Sequence, residues 1–417
     1  MTIHRTIFSP RILALVATGL LATGALAQPT PAELQALRVD VVYLASDLLE
    51  GRQTGSAGET LAAEYIASQF AAIGLEPRGT DGWLQPFSFR YSANPHAPAE
   101  SGEERTGHNV VAFLDNGAPT TAIIGAHYDH LGHGGFGSRD PNSDAVHNGA
   151  DDNASGTAML IELARRLKDA SYDGNNYLFI AFSGEELGLY GSKYFANNPT
   201  ISFDNVSYML NMDMVGRLNA ENVLAVNGTG TSPAWDGVLD GLAGNGIQVK
   251  KHASGIGASD HTSFYLQNIP VLHFFTGQHQ EYHKPSDDSE LINYEGMYAV
   301  TDFIMGVIAS LDDSGKLAFT ETKDDDQGRA AASFKVSMGI MPDYVAEGKG
   351  VRIDAVVNGR AAATAGLEKG DVIIKLGDAD IDDINAYMQA LATYEKGDKT
   401  TVVVKRGNET VKKNIEF

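Results

Sequence analysis

Thr121-Ala122-Ile123-Ile124-Gly125-Ala126-His127-Tyr128-Asp129 is the stretch on which the reading of this chain turns. Its first six residues form a short apolar run with β-branched members, as a buried strand does, and the run delivers a histidine at its end. Two later segments repeat the arrangement. Asn176 to Phe182 leads into Ser183-Gly184-Glu185-Glu186-Leu187-Gly188, and Val206 to Met212 leads into Asp213. Between the first two runs a helix is predicted after Gly156, with Leu160, Leu163, Ala164 and Leu167 on one face. Strands alternating with helices make an α/β fold, and polar residues at successive strand ends place a site along the carboxyl edge of the sheet.

The residues at and between those ends form a chemical set. His127, Asp152 (in Gly149-Ala150-Asp151-Asp152-Asn153-Ala154-Ser155-Gly156), Glu185, Glu186, Asp213 (in Asn211-Met212-Asp213-Met214) and His283 (in Glu281-Tyr282-His283-Lys284-Pro285) offer imidazole nitrogen and carboxylate oxygen, both zinc ligands. Alone, each is unremarkable: a histidine after a strand is usually structural, and paired glutamates usually mark a solvated turn. Their conjunction points to a metal centre. Two zinc ions roughly 3.5–4 Å apart need a ligand that serves both, which a carboxylate can be and an imidazole with one free nitrogen cannot.

In this order the motifs resemble the co-catalytic zinc aminopeptidases of clan MH, relatives of the glutamate carboxypeptidase II type, from about Leu44 to about Ile308. The resemblance implies a three-layer α/β/α zinc exopeptidase with a central mixed sheet and two zinc ions (Zn2+) per chain. It makes Asp152 the bridge, pairs His127 with Asp213 on one ion, and pairs Glu186 with His283 on the other. Glu185 stands beside a ligand without being one in the family pattern. It is therefore the expected general base, taking a proton from the attacking water and passing it to the departing amine. Neighbouring side chains diverge in extended chain, which would separate the two glutamates. Asp129 is expected to accept a hydrogen bond from the other ring nitrogen of His127. Asp152-Asn153 matches the family position of a cis peptide. Ser259-Asp260-His261 resembles an element lining the substrate pocket, with Asp260 and His261 as its polar members and Ile256 where some relatives carry a tyrosine. His130, His133, His147, His252, His273 and His279 read as loop or core residues, the first two close enough to contact substrate.

Composition sets the frame. A chain of 417 residues has room for two domains or more. Arg5 and Arg11, an apolar stretch from Ile12 to Leu21, then Ala25 and Ala27 read as a signal peptide over residues 1–27. The stretch is too short for a membrane span, so the expected location is a bacterial periplasm or the medium, with no membrane attachment after cleavage. Cysteine is absent, which excludes disulfides and thiol chemistry. Asp and Glu number 53 against 31 Lys and Arg, and the formal charge of −22 argues against nucleic acid or anionic lipid as partner.

Residues 28–318 are read as the catalytic domain. Within it, Glu59 to Ile73 is an amphipathic helix with Leu61, Tyr65, Ile66, Phe70 and Ile73 apolar, closed by Gly74, and Tyr91 to Gly107 is a polar loop. Residues 319–330 read as an acidic, solvated linker. Beyond it, residues 331–417 suggest strands over 332–338, 351–357, 372–376 and 401–405, and a helix over 384–392. This unit resembles a PDZ domain of the bacterial protease type through Ala365-Gly366-Leu367, Gly370-Asp371-Val372-Ile373 and Val404-Lys405-Arg406-Gly407. The resemblance makes Ser337-Met338-Gly339-Ile340 the loop whose amides hold a peptide's terminal carboxylate, the peptide adding to the sheet edge. The expected protein is a secreted di-zinc aminopeptidase acting on peptide substrates. A carboxypeptidase of the same clan, a glutaminyl cyclase-like acyltransferase and a non-catalytic peptide-binding protein are the alternatives.

Overall fold

The computed structural model describes residues 29–91, 102–135, 137–140, 143–244, 246–322, 336–342, 349–356, 359–382, 384–407 and 409–417. The expected signal peptide, residues 323–330 of the linker and residues 332–335 of the strand expected next lie outside them. In chain order the larger unit contains α1 (Pro31–Leu44), α2 (Ala57–Ile73), β1 (Glu76–Pro77), β2 (Leu84–Tyr91), β3 (Glu103–Leu114), β4 (Thr120–His127), α3 (Gly156–Asp169), β5 (Asn175–Phe182), α4 (Tyr190–Asn197), β6 (Val206–Met212), β7 (Val223–Asn227), α5 (Ala234–Gly241), β8 (Gln248–His252), α6 (His261–Tyr265), β9 (Val271–Phe275) and α7 (Tyr294–Leu311).

Nine strands form one sheet in the order β1-β3-β5-β4-β6-β9-β7-β8, with β2 paired to β3. The central run β5-β4-β6-β9 is parallel, while β3 and β7 join it antiparallel, so the sheet is mixed. All eight residues of β4 are buried. The two-residue period explains how. Ala122, Ile124 and Ala126 enter a core with Leu37, Ile66, Phe70, Leu163 and Ile304 from α1, α2, α3 and α7. Ile123 enters another core, with Phe195 of α4 and Phe264 of α6. Helices thus cover both faces, which makes three layers. Gly125 fits between its neighbours only without a side chain, since a Cβ there would stand 2.5 Å from Cε2 of Phe182.

Local signals fix the ends of α2. The Ser56 hydroxyl accepts from the Glu59 amide, so the helix starts at Ala57, two residues before the expected Glu59. Gly74 ends it with φ 83°, and the Leu75 amide reaches back to the Phe70 carbonyl. Leu61, expected on the apolar face, is exposed. Both ends of the loop expected from Tyr91 to Gly107 are strand, and its residues 92–101 lie outside the described residues: Tyr91 closes β2, and Glu103 to Gly107 belong to β3, with Arg105 opposite Phe89 and Thr106 opposite Ser88. A polar hairpin arm on a sheet margin carries no apolar signal to mark it as a strand.

The linker also begins later than 319. Phe319 packs on Tyr265, the Thr320 amide donates to the Thr231 carbonyl at 2.8 Å, and Thr322 shares hydrogen bonds with the Tyr265 hydroxyl. Residues 319–322 therefore belong to the larger unit. Among the described residues no helix is long and apolar enough to cross a membrane.

The smaller unit comprises β10 (Ile340–Pro342), β11 (Val351–Val356), α8 (Ala361–Ala365), β12 (Val372–Leu376), β13 (Ala379–Asp380), α9 (Ile384–Ala392), β14 (Lys399–Arg406) and β15 (Glu409–Glu416). Its strands are antiparallel in the order β10-β11-β12-β14-β15, with β13 on β12. Met338, Ile353, Leu367, Ile373, Tyr387, Val402 and Val404 make its core. The strand expected through Met338 is absent over 336–339, and β10 starts at Ile340. β15 escaped sequence reading because only Ile415 along it is buried.

Arg406 joins the end of β14 to the Gly366–Asp371 turn. Its Nε and Nη2 donate to the two Asp371 oxygens at 2.7 and 2.8 Å, and Nη2 also reaches the Gly366 carbonyl at 2.9 Å. Burial opposes ionisation of Asp371, but the guanidinium and the Glu368 amide hold its carboxyl below the usual range. A lowered folded pKa adds stability above the unfolded value of about 3.9 and loses it as pH falls through the folded value. Asp371→Asn is expected to speed amide exchange in β12 and β14 at neutral pH. That difference from the parent should narrow below about pH 4; a pH-independent difference would contradict the ionic origin.

Candidate metal centre

β4 ends at His127, Glu185 and Glu186 follow β5, Asp213 follows β6, and His283 lies on the loop after β9. Because β5, β4, β6 and β9 are neighbours in that order, four loops converge at one carboxyl edge. Asp152 comes from the turn Ala150–Ser155 leading into α3, and its peptide bond to Asn153 is cis. Gly149 precedes the turn with φ 55°, where a Cβ would meet the Asp152 carbonyl oxygen at 2.1 Å.

The two oxygens of Asp152 face opposite ways. His127 Nε2 lies 3.4 Å from Asp152 Oδ1 and 3.4 Å from Asp213 Oδ1. His283 Nε2 lies 3.1 Å from Asp152 Oδ2 and 3.1 Å from Glu186 Oε2. Two atoms bound to one tetrahedral zinc at about 2.0–2.1 Å stand about 3.3 Å apart, so both sets match that spacing. The other ring nitrogens lie against carbonyls, His127 Nδ1 3.2 Å from Asp129 O and His283 Nδ1 2.9 Å from Gly137 O. Such contacts aim Nε2 inward, as a ligating histidine requires. Asp152 Oδ2 is buried and accepts no hydrogen bond, which suits an oxygen reserved for a cation.

The adjacent glutamates differ in charge. Burial raises the Glu185 carboxyl well above its usual range, and the charges of Asp213 and Glu186 add to the effect against His127. Burial also opposes ionisation of Glu186, but the His283 charge and the His130 hydrogen bond bring it down to about 2. Asp152 is likewise held well below its usual range, against burial, by His127 and His283. Burial disfavours a charge on His283, yet Glu186 and Asp152 lift it to about 10. The centre thus has ionised carboxylates ready for a cation and one carboxyl, Glu185, poised to exchange a proton.

The family described as Peptidase family M28 matches residues 109–308, and the PDZ domain family matches residues 321–417. The chain carries a peptidase family M28 domain followed by a PDZ domain. Leupeptin-inactivating enzyme 1 of Streptomyces exfoliatus is 28% identical over 259 residues, 60% of this chain and 51% of that protein. Aminopeptidase YwaD of Bacillus subtilis is 29% identical over 203 residues, 46% of this chain and 41% of that one. The match to these relatives thus spans about half their length or less. In three dimensions the chain resembles an aminopeptidase from Aneurinibacillus sp. strain AM-1 with TM-score 0.52 and 19% identity, over 69% of this chain and 95% of that one. It also resembles a glutaminyl cyclase of Porphyromonas gingivalis with TM-score 0.53 and 17% identity, over 66% and 98%. These likenesses show the fold.

Several supports of the M28 domain's centre were not foreseen. Arg52 is fully buried and directs its guanidinium at the carbonyls of Leu44, Tyr128, Asn148 and Gly149, tying α1 to the two loops that carry His127 and Asp152. Asp287 Oδ2 accepts the amides of Asp151 and Asp152 at 3.0 and 3.1 Å. Asp151 in turn takes the Gly216 amide at 2.6 Å and lies 3.2 Å from His279 Nε2. Tyr282 stacks on His283 with ring centres 3.8 Å apart, under the Arg139 guanidinium. Asp129 divides its carboxylate between the Glu185 amide at 3.1 Å and Thr54 Oγ1 at 3.0 Å, with Oδ1 3.6 Å from His127 Nδ1. The expected contact to His127 is therefore carried first by its backbone carbonyl.

Other expectations change. Asp260 and His261 are fully buried, so neither lines a pocket as the structure stands. The neighbouring Ser259 donates its hydroxyl to Asp213 Oδ2 at 2.6 Å, and His261 stacks on His273 with ring centres 4.6 Å apart. Glu185 and Glu186 diverge in a turn, not in extended chain, because the Gly188 and Leu189 amides both donate to the Glu185 carbonyl. His130 is buried against Glu186, which removes it from substrate contact. Arg52→Met is expected to lower stability by about 3 kcal/mol or more in denaturant, since buried carbonyls lose a charged donor. An unchanged midpoint would remove the clamp.

Proposed function

We propose that the protein is an exported aminopeptidase that removes residues from the amino ends of peptides, using two zinc ions per chain. His127 and Asp213 would hold one ion, Glu186 and His283 the other, with Asp152 shared. The observation that carries this reading is the opposed proton preference of Glu185 and Glu186 beside a carboxylate whose oxygens face two separate ligand sets. The name of a similar protein, an aminopeptidase of Bacillus subtilis, supports the substrate class. Export rests on the leader composition of residues 1–27.

Zinc, when bound, supplies Lewis acidity at a carbonyl and lowers the pKa of water. Glu185 accepts the proton of the water that attacks the scissile carbonyl, then returns it to the amine nitrogen as the C–N bond breaks. Asp129 holds the Glu185 turn through its amide. Burial first, then the charges of Asp152 and Glu186, keep the Tyr282 phenol well above its ordinary pKa, so it remains a hydrogen-bond donor beside the centre. We assign it to the developing oxyanion, in the role for which Ile256 is unsuited.

Glu185→Gln should lower kcat by about 10²–10⁴ with zinc content near that of the parent protein, whereas Glu186→Gln should lose zinc. The reverse pattern would exchange their roles. Peptides blocked at the amino end should resist the enzyme and those blocked at the carboxyl end should not; the opposite result makes it a carboxypeptidase. Cyclisation of amino-terminal glutamine with one bound zinc would instead indicate a cyclase.

For the PDZ domain we propose capture of free peptide carboxylates at Ser337-Met338-Gly339-Ile340. Ser337 is exposed, Gly339 has φ 74°, and Met338 and Ile340 anchor the loop in the core. The Gly339 amide already donates to Ser337 Oγ at 3.1 Å, a bond the incoming carboxylate must replace. Because Phe319 and Thr322 pack on the M28 domain, truncation belongs after Thr322. That shortened protein should keep kcat on a small aminoacyl chromogenic substrate and lose affinity only for longer free-acid peptides, not their amides. Equal losses on acids and amides would exclude carboxylate capture.

A further inference from the structure

His130 stands three residues beyond His127 and makes the shortest contact any imidazole makes with the centre. Its Nδ1 lies 2.7 Å from Glu186 Oε1 and 3.9 Å from Asp152 Oδ2. The ring cannot swing away. Its backbone amide donates to the Arg52 carbonyl at 3.3 Å, its edge meets the His283 ring at 5.7 Å between centres, and it lies over Gly149, where a Cβ would be 2.5 Å from its Cγ and Cδ2. His130, Asp152 and Glu186 also bring donor atoms within 4.8 Å of one another, a grouping that would serve a third ligand for the second ion.

Two observations decide between ligand and support. The contacts of His127 and His283 with the carboxylates, 3.1 to 3.4 Å, are near the spacing of two atoms on one zinc, whereas 2.7 Å is too short for that and suits a hydrogen bond. A ligating imidazole also gives its other N–H to an acceptor, as His127 and His283 do with carbonyls. His130 Nε2 is buried without a partner, so a proton placed there would be stranded. With the proton on Nδ1, that nitrogen donates to Glu186 and only a lone pair is left unsatisfied.

Resting on the two-zinc reading above, we propose that His130 is a positioning residue that occupies Glu186 Oε1 and so presents Oε2 alone to the second ion. The hydrogen bond turns Glu186 into a one-oxygen ligand beside His283 and fixes it away from Glu185, whose carboxyl must stay free for proton exchange. The Glu186–His283 site depends on this contact, and the His127–Asp213 site does not.

The test is zinc titration of the full metal-stripped chain against a chromogenic chelator, for the parent protein, His130→Phe and His130→Asn. Asparagine places an amide N–H near the position of Nδ1, and phenylalanine keeps the ring without the donor. Removing such a partner costs about 10–100-fold in metal affinity. His130→Phe should weaken one of two zinc steps by that factor and leave the other unchanged, while His130→Asn recovers most of the loss. Thermal unfolding of the metal-stripped proteins checks folding, and His130→Leu replaces the phenylalanine variant if that variant fails to fold. X-ray absorption of the zinc-loaded proteins should show the same nitrogen count in parent and variant. One nitrogen fewer in the variant would make His130 a ligand and overturn the proposal. Two unchanged steps in His130→Phe would overturn it while sparing the two-zinc reading. A single step in the parent protein would remove that reading and this proposal together.

Discussion

The carboxylate of Asp152 sets the terms for everything around it. One oxygen lies on the side of His127 and Asp213, the other on the side of His283 and Glu186. Its backbone is held from two directions, by Asp287 on the amides and by Arg52 on the carbonyls just upstream. The surroundings are acidic as well, since Asp129, Asp151, Asp213, Glu185, Glu186 and Asp287 crowd the same edge of the sheet. So many carboxylates repel unless cations or protons intervene. The protein's answers are distinct in kind: a buried guanidinium in Arg52, shareable protons on His127, His279 and His283, and a raised carboxyl in Glu185. On the proposed reading a pair of divalent ions would complete the same compensation and so tie metal binding to the folded state.

The parts that the residues announced are those whose role is local. β4, β5 and β6 are nearly continuous apolar runs, and a parallel sheet buried on both faces demands that pattern. Their exits must carry the polar residues, so His127, Asp213 and the Glu185-Glu186 pair were legible, and resemblance supplied their roles. The helices α2 and α3 were legible from their apolar period, and the end of α2 from Gly74.

The supports were not legible because they act across the chain. Arg52 reaches carbonyls up to 97 residues away, and Asp287 reaches back 135 residues to the Asp152 amide. Nothing beside either residue marks it, and a buried arginine with carbonyl partners leaves no acidic companion in the sequence to suggest one. His130 and His279 were discounted for the same reason. A histidine's meaning lies in what its second nitrogen meets, and that is decided by loop approach. Asp260 and His261 were expected to line the substrate pocket through their motif, and both are fully buried in the structure.

Fold alone does not choose the chemistry, since the same sheet and helices match an aminopeptidase and a glutaminyl cyclase about equally well. The choice lies in the charges at the carboxyl edge. Hydrolysis needs a group that accepts a proton from water and later surrenders it to an amine, which calls for a carboxyl shifted toward neutral pH and kept off the metal. Glu185 meets the first condition through burial and the charges of Asp213 and Glu186. On the proposed reading it would meet the second because the Gly188 and Leu189 amides fold the turn at its carbonyl while Asp129 holds its own amide. Glu186, one residue on, is bound from the other side by His130 and His283. Two identical side chains thus have their proton affinities shifted in opposite directions, upward at Glu185 chiefly by burial and downward at Glu186 by His283 and His130. That division of labour is what a tight turn at a strand end can provide and a continuing strand cannot.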